Sequence, residues 1–507
     1  MKKYFLYFFI ALPIVFYFYY IYLFGVNVPH WDDWGTVGLF RHMYLGNLSF
    51  NQLWGQENEN RLLFPHLVSL LILYVTHYNL KVVMYISAVF LTLSCYLLFL
   101  FYKKYVPANL WWFIPVPYII FGLIDTESIL WGVQLGWFMV LFFFLLSIYL
   151  LCSSDKNRYY FILSLSAGLI ASYSSIQGLI VWPVGFLYLL ILQRVGERDL
   201  LLSMKYLIIW LGIGFAATIL YFKDFNFNSN GNPGGYKSTL YIFHHPIIGL
   251  RYFLTSLGSI MPKYHIFFGI IILLYAVAAL YILLHKKQYK TRDIIFVSFI
   301  IFGLIFDLFI TIGRSSFGVF QAHSSRYTIY NLLLFIGIYL FFLQRFKKGY
   351  KNFYFIGFLI ILFLICIQVP YSLKYGFFHG SITRNHRLKA ANVLAAATIL
   401  PPNNAILVNQ MHKYIYPAIH KRIINMINFL KHYKLSIFNG DNISDNLRAI
   451  KCLIAGNRSL LLRDKLAIGE LLLRYNMKTP IKIAISQNIS TASLKPLLQF
   501  NRTIDIK

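Results

Sequence analysis

Long apolar runs separated by short polar segments dominate this chain. A helix that crosses the hydrocarbon core of a bilayer needs roughly 20 mostly apolar residues. Such runs predict about eleven membrane-spanning helices, at residues 4–24, 82–102, 107–124, 129–152, 159–174, 177–193, 203–221, 266–285, 294–312, 327–344 and 352–370. The pattern therefore predicts an all-α polytopic membrane protein, with a transmembrane domain at 1–370 and a less apolar C-terminal domain at 371–507.

One further apolar run, at residues 62–78, is ambiguous because it is short and contains Pro65, His66 and His77. If it does not cross the membrane, six basic clusters fall on one side: Lys2/Lys3, Lys103/Lys104, Lys156/Arg158, Arg194/Arg198, Lys286/Lys287/Lys290/Arg292 and Arg345/Lys347/Lys348/Lys351. If it does cross, every cluster after the first moves to the other side. Because short basic loops stay in the cytoplasm, we expect 62–78 to lie in, or re-enter from, the outer interface.

This topology places the N-terminus in the cytoplasm and the C-terminus outside it. The predicted outer segments are a long first loop at 25–81, loops at 125–128, 222–265 and 313–326, and the tail from Tyr371. The start, Met1-Lys2-Lys3 before an apolar run, resembles a signal peptide. Because the apolar run is too long for one, we expect an uncleaved first membrane helix. In the tail, Pro401 to Asn404 predicts a turn and Lys421 to Tyr433 has helical periodicity, as in a small mixed or helical domain.

Composition supports the membrane interpretation and argues against a nucleic-acid-binding protein. The chain is 59% hydrophobic and 12% charged, whereas soluble domains carry about 25% charged residues. The net charge of +29 comes from clusters between apolar runs and from the tail, where cations can meet lipid headgroups or a phosphorylated lipid. The four cysteines show no metal-binding or disulfide spacing.

Acidic side chains are concentrated in two of the predicted outer loops, at Asp32, Asp33, Glu57, Glu59, Asp125 and Glu127. Any single loop acid is as easily a solvated surface group. The Asp32–Asp33 pair lies between Trp31 and Trp34, which would anchor it near headgroup depth. Adjacent carboxylates repel, which raises one pKa and suits that group to accept a proton or bind a cation.

Other candidate residues are cations of the outer loops and one acid inside a span. Arg314 and Arg326 have the fork that matches a phosphate, although arginines at a membrane interface also extend toward the headgroups. His30, His244, His245 and His323 are weak candidates individually. Asp307 falls inside a predicted span, where it serves either a helix–helix hydrogen bond or function.

The arrangement of these residues resembles the C-type glycosyltransferase superfamily (GT-C), which includes protein O-mannosyltransferases and lipid A aminoarabinose transferases. The resemblance lies in a first span followed by an acidic pair in a long outer loop and a second acidic site after a third span. It covers about residues 1–370 in architecture. Specific residues match at Asp32-Asp33, Glu57 to Arg61, Glu127 to Gln134 and Arg314 to Tyr327.

The resemblance implies an enzyme of the bacterial inner membrane that transfers a hexose or pentose. The donor would be a polyprenyl-phosphate sugar, and the acceptor a glycan, lipid or protein of the cell envelope. A divalent cation held by carboxylates could also stabilise the departing phosphate. The candidate catalytic residues are Asp32, Asp33 and Glu127, and the candidate substrate-binding residues are His30, Glu57, Glu59, Arg61, Gln134, Arg314, His323 and Arg326.

Two other functions fit the same composition. A transporter or flippase of lipid-linked glycans would use the same basic patches and Asp307, but the chain shows no internal repeat. An O-antigen ligase or polymerase resembles the other members of its class in having a large loop in the middle of the chain, whereas here the long loop comes first. A non-catalytic GT-C relative is a further alternative.

Overall fold

A computed structural model describes residues 2–154, 157–195, 200–227, 235–261, 263–285, 291–347, 352–397, 405–416 and 421–439. Nearly all regular structure in these residues is helical, which confirms the predicted all-α class. The helices are α1 Lys2–Phe24, α2 Asp33–Tyr44, α3 Phe50–Trp54, α4 Leu63–Val75, α5 Leu80–Tyr105, α6 Pro115–Ile120, α7 Thr126–Ile129, α8 Leu135–Leu151, α9 Arg158–Ser172, α10 Val181–Val195, α11 Leu200–Phe222, α12 Gly235–His244, α13 Pro246–Leu257, α14 His265–Leu284, α15 Thr291–Arg314, α16 Thr328–Lys347, α17 Asn352–Ala396, α18 Ala405–Tyr414 and α19 Lys421–His432.

Nine helical segments among these residues are long and apolar enough to cross a membrane, so the chain is a multi-pass membrane protein. They are Tyr4–Phe24, Leu80–Tyr105, Gly132–Leu151, Ile176–Gln193, Met204–Phe222, His265–Leu284, Ile294–Phe317, Ser325–Lys347 and Phe355–Ala395. Helix α16 is central, because every side chain from Thr328 to Arg345 is buried. An apolar helix surrounded by protein on all sides lies in the middle of a bundle.

Two ends of this bundle can be defined from α16. The Arg326 end is the end at which α16 begins, and the Lys347 end is the end at which it finishes. Helix α5 runs to the Lys347 end, since the Gln344 side-chain amide donates to the Tyr105 carbonyl at 2.9 Å. Its first turn lies at the Arg326 end, where Lys81 Nζ donates to the carbonyl of Tyr22 near the end of α1 at 2.8 Å.

The predicted span at 107–124 is broken rather than one continuous helix. A 3-10 turn and the six-residue α6 take the place of a long helix. Pro115 and Pro117 fit the first turn of a helix, but they cannot continue a helix that comes before them. The segment still follows α16 along its length. The Tyr339 hydroxyl donates to the Trp112 carbonyl at 2.6 Å, and the Glu127 amide donates to the Ser325 hydroxyl at 3.1 Å.

The predicted span at 159–174 is the short helix α9, with 15 residues. It packs antiparallel to α8 through reciprocal hydrogen bonds in which each of the Ser147 and Ser164 hydroxyls donates to the other's carbonyl, at 2.9 and 2.8 Å. Near the Arg326 end, a Cβ placed on Gly136 would lie 2.5 Å from the Ser174 carbonyl oxygen. Small and hydroxyl residues of this kind let membrane helices approach closely.

The ambiguous run at 62–78 forms the 13-residue helix α4, which is too short to cross. Both of its ends lie at the Arg326 end of the bundle. The Phe64 amide donates to the carbonyl of Tyr173 just after α9 at 3.3 Å, and the Lys81 contact with Tyr22 follows within a few residues of its other end. Helix α4 therefore starts and finishes at one end, as the charge pattern predicts.

The predicted outer loop at 222–265 contains α12 and α13, and α13 enters the bundle. Its last turn brings the Ser256 hydroxyl to within 2.5 Å of a carboxylate oxygen of Asp307, a residue in the middle of α15. The chain then turns sharply at Gly258, where an added Cβ would lie 1.9 Å from the His265 carbonyl oxygen. Helix α13 and the turn at 258–261 therefore form a re-entrant segment, a feature that hydropathy alone did not predict.

Helix α17 has 45 residues and includes Pro370, so it continues well past the predicted end of its apolar run. At 1.5 Å per residue it is about 67 Å long, roughly twice the thickness of a bilayer core. The described chain divides into two compact units, one of residues 1–26 and 35–384 and one of residues 27–34 with those from 385 onward.

The second unit joins two parts of the chain that are far apart in sequence. The Ser436 hydroxyl donates to the Asn27 carbonyl at 3.4 Å, and the rings of His30 and His386 meet edge to face at 5.7 Å. Helix α19 confirms the periodicity predicted from Lys421 to Tyr433. The predicted turn at 401–404 and several predicted basic residues, among them Lys156, Arg198 and Lys348, lie outside the described residues.

Candidate active site

The break between α6 and α8 holds two acids at the Arg326 end, and Glu127 is fixed to the turn that opens α16. Its Oε2 atom accepts hydrogen bonds from the Ser324 hydroxyl at 2.7 Å and from the Arg326 amide at 3.4 Å. The Glu127 amide donates to the Ser325 hydroxyl. Glu127 itself is exposed, so one side of the carboxylate remains open to a substrate.

Asp125 lies two residues earlier and is buried. Burial raises the pKa of its carboxyl group well above the ordinary value, and the charge of Glu127 adds to the shift. Ser128 lies beside the carboxyl group and opposes the shift, but neither carboxyl oxygen has a partner with good hydrogen-bond geometry. Two neighbouring acids with different surroundings can therefore carry different charges at neutral pH.

The three candidate arginines, Arg61, Arg314 and Arg326, have different surroundings. Among the described residues the half-buried guanidinium of Arg326 forms no ion pair within 4 Å, and it lies over the Tyr327 ring at 5.4 Å. It interacts electrostatically with the carboxylates of Glu127 and Glu59. Arg326 therefore combines a guanidinium that has no ion pair among the described residues with fixed negative neighbours.

Arg61 makes structural contacts with backbone carbonyls. Its guanidinium is buried and donates to the carbonyls of Tyr221 at 2.6 Å, Trp54 at 2.8 Å and Lys223. These carbonyls include the last ones of α11, which have no partner within the helix. The guanidinium of Arg61 is thus occupied by backbone carbonyls, and its contact with a substrate stays a prediction.

The remaining candidates of the first loop lie on or beside a small hairpin. Strands β1 Gln56–Glu57 and β2 Asn60–Arg61 pair antiparallel. Glu57 accepts from the buried His66 ring at 3.1 Å, and Glu59 is ion-paired with Arg314. These pairs bring acids and bases of distant segments to the Arg326 end, but each carboxylate already has a basic partner.

Gln134 and His323 occupy the edges of the same end. Gln134 closes the 3-10 turn before α8 and is buried, and its Oε1 atom has no hydrogen-bond partner. The His323 ring lies 4.6 Å from the His265 ring. Desolvation by the surrounding protein and the charge of His265 both lower the pKa of His323, which favours the neutral imidazole at pH 7.

The candidates of the His30-Trp31-Asp32-Asp33 segment belong to the second compact unit. Asp33 begins α2 and is buried, and its Oδ2 atom accepts from the His30 amide at 3.1 Å. Asp32 is half-buried, and the His30 ring stacks against Trp31 at 5.5 Å. The local hydrogen bond holds the segment in a turn, with Trp31 in the left-handed region at φ 46°.

A divalent cation does not fit the acids that the structure describes. Within those residues, no group of three His, Cys, Asp or Glu side chains is placed to hold a metal ion. Glu57 and Glu59 are each paired with a base, and Asp125 is buried in the break before α7. We therefore derive no catalytic step through a metal.

Two residues of this end were not among the sequence candidates for the site. Asp125 was visible as an outer-loop acid, and its burial is what distinguishes it from the exposed Glu127. Tyr252 of α13 is fully buried and interacts electrostatically with Tyr327, Arg314, Arg326 and Asp307. No sequence signal marks Tyr252, because its position depends on the re-entrant path of α13.

Comparison with protein-family models and with curated proteins finds no match. Among solved structures, the chain is similar to the crystal structure of ArnT from Cupriavidus metallidurans bound to undecaprenyl phosphate. The identity is 12%, the match covers 84% of this chain and 87% of that chain, and the TM-score is 0.40.

Proposed function

We propose that this chain is a membrane glycosyltransferase of the GT-C type, which moves a sugar from a polyprenyl-phosphate-linked donor to an acceptor outside the cytoplasm. The observation that carries the proposal is the arrangement of Arg326 and Glu127. An arginine with no ion-pair partner in the described part of the chain and a carboxylate with an open side lie together at one end of the bundle.

Arg326 would bind the donor phosphate. Its planar fork matches two phosphate oxygens, and the negative charge on the departing phosphate is stabilised by a cation already in place. Arg314 lies near the same end but is paired with Glu59, so it supports the local field and is the weaker candidate for direct contact. The lipid chain of the donor would remain in the bilayer beside the bundle.

The transfer needs a base for the acceptor hydroxyl. The hydroxyl oxygen attacks the anomeric carbon, the bond from that carbon to the phosphate oxygen breaks, and the hydroxyl proton passes to a carboxylate. Glu127 is the candidate base of the first compact unit, because its carboxylate is held by two hydrogen bonds and remains exposed. Asp32 or Asp33 is the alternative, on the sequence argument of a carboxylate pair between two tryptophans.

The test is transfer of label from radiolabelled polyprenyl-phosphate sugars in membranes that contain the protein. Glu127→Gln should lower the rate by about 10²–10⁴-fold if Glu127 is the base, while Asp32→Asn and Asp33→Asn retain activity. The reverse result would assign the base to the aspartate pair. If all three variants transfer sugar at the wild-type rate, the proposed mechanism is wrong.

Arg326→Ala should raise the donor KM and slow turnover by about 10²–10³-fold, since the phosphate contact strengthens as charge develops. Arg326→Lys keeps the charge but loses the fork and should recover only part of the rate. The matched control is Lys103→Ala, which removes an exposed cation near the Lys347 end and should leave transfer unchanged. A transporter would move lipid-linked glycan without forming any labelled covalent product.

A further inference from the structure

Asp307 is a fully buried acid in the middle of α15. It lies seven residues before Arg314, which is about 10 Å along the helix from the Arg326 end. Its position within an apolar, membrane-spanning segment makes an ionised carboxylate costly unless its charge is compensated. In the part of the chain that the structure describes, no basic side chain forms an ion pair with it.

Two neutral side chains hold one oxygen of this carboxylate. Oδ1 of Asp307 accepts from the Ser256 hydroxyl at 2.5 Å and from the Asn331 amide nitrogen at 3.3 Å. The same Asn331 nitrogen donates to the Ser256 carbonyl at 2.8 Å, which fixes the orientation of the amide. The cluster therefore joins the re-entrant α13 to α15 and α16.

The remaining oxygens of the cluster have no hydrogen-bond partner. Asp307 Oδ2 and Asn331 Oδ1 are both buried and unpaired, and so are the hydroxyls of Tyr252 and Ser259, which belong to the re-entrant segment. Native structures rarely leave buried acceptors unsatisfied, and each such group needs an explanation. Two unpaired acceptor oxygens on side chains that are hydrogen-bonded to each other indicate a positively charged or donating partner beside them.

Three kinds of partner are possible, and they differ in what they satisfy. A water molecule donates to both oxygens but leaves the negative charge of Asp307 uncompensated. A proton on Oδ2 removes the charge but leaves the Asn331 oxygen without a donor. A metal cation compensates the charge and accepts electron pairs from both oxygens at once.

We propose that Asp307 and Asn331 bind one sodium ion in the interior of the bundle. Carboxylate and amide carbonyl oxygens are ligands that hard cations prefer, and hydroxyl oxygens complete such a shell. A single charge suffices, because the cluster holds one acid and, within the described residues, no group of acids suited to a divalent ion occurs. The ion would hold α13 against α15 and α16. It would therefore stabilise the part of the bundle that supports Arg314 and Arg326.

The experiment measures thermal unfolding of the full chain in detergent at constant ionic strength, with sodium chloride replaced stepwise by choline chloride. The Tm of the wild type should rise with sodium concentration and saturate, as ligand linkage requires. Asp307→Asn, which removes the charge while keeping the shape, should lose this sodium-dependent rise. Binding of ²²Na⁺ to the purified protein should be lost in the same variant.

The matched control is Ser298→Ala, on the same helix, whose buried hydroxyl only donates to the Ile294 carbonyl. It should keep the full sodium response. Should Asp307→Asn not fold, the wild-type titration and ²²Na⁺ binding still decide the question. Equal Tm values in sodium and choline would overturn the proposal, and so would a Tm that depends on pH through Asp307 but not on sodium, because Asp307 would then hold a proton.

Discussion

At the scale of single residues, the surroundings of a side chain separate groups that look equivalent in sequence. Arg61 and Arg326 are both arginines of predicted outer segments, yet Arg61 satisfies backbone carbonyls whereas Arg326 has no ion-pair partner within the described residues. Asp125 and Glu127 are two residues apart, yet one is buried and the other exposed. Burial and partners, more than residue type, distinguish structural groups from candidates for chemistry.

The buried Asp125 predicts a specific dependence of stability on pH. Its raised pKa means that, between about pH 4 and that pKa, the folded state binds more protons than the unfolded state. Stability should therefore fall as pH rises through this window. Asp125→Asn, which does not titrate, should remove this part of the slope and unfold at a higher temperature than the wild type at the upper end of the window.

The measurement is the Tm in detergent across this pH range, compared with Asp224→Asn as the control. Asp224 is exposed after α11, and its left-handed φ of 54° is one that asparagine tolerates. That variant should follow the wild-type curve. If the Tm of Asp125→Asn depended on pH as steeply as that of the wild type, Asp125 would not be the group responsible for this dependence.

At the scale of elements, close approach between helices determines where the irregular segments go. The turn from α13 to α14 depends on two glycines, since an added Cβ on Gly258 or Gly269 would lie 1.9 Å from a backbone oxygen. This close contact allows α13 to pack beside α14, so that the Ser256 hydroxyl reaches the carboxylate of Asp307. The path of a loop predicted from hydropathy as external thus reaches into the bundle.

Gly258→Ala should therefore destabilise the protein by about 1–3 kcal/mol, the usual cost of overpacking, and lower the Tm. Gly212→Ala is the matched control, because no atom lies within 4 Å of an added Cβ in the middle of α11. In a helix that replacement is expected to be neutral or to stabilise by about 0.5–1 kcal/mol. Equal effects of the two variants would show that the close approach at Gly258 does not matter.

At the scale of the whole molecule, the charges and the structure agree on which segments share an end of the bundle. Glu57, Glu59 and Glu127 lie at the Arg326 end, and Lys104 and Lys347 lie at the other, where Lys104 Nζ donates to the Ser153 hydroxyl at 3.3 Å and Lys347 lies over the Trp112 ring at 4.6 Å. Which end faces the cytoplasm is a prediction from the positive-inside rule.

Single-cysteine labelling tests this orientation with a reagent that does not cross membranes. Cysteine at position 127 should react from outside the cell, whereas cysteine at position 103 should react only after the membrane is opened. The native cysteines would first be replaced, including the exposed Cys366. Labelling of position 103 but not 127 from outside would invert the topology and remove the proposed site from the extracytoplasmic side.

The sequence by itself determined that this protein is embedded in lipid and where most of its membrane-spanning helices lie. Apolar runs of sufficient length identify membrane-spanning segments whatever their neighbours are, because lipid acts on each segment separately. When charge is added, the same reasoning predicts that 62–78 does not cross, and the 13-residue helix α4 confirms this. Nine of the eleven predicted runs form long helices in the described chain, and the other two follow their neighbours from one end of the bundle to the other.

Only the tertiary structure decided which polar groups act together. Arg61 meets Tyr221 across 160 residues of chain and Arg314 meets Glu59 across 255, and no local pattern predicts such partners. The breaks around α6, the descent of α13 to Asp307 and the packing of residues 27–34 with the tail have the same origin. Hydropathy describes how a residue interacts with its solvent, whereas these features depend on which side chains replace that solvent in the folded protein.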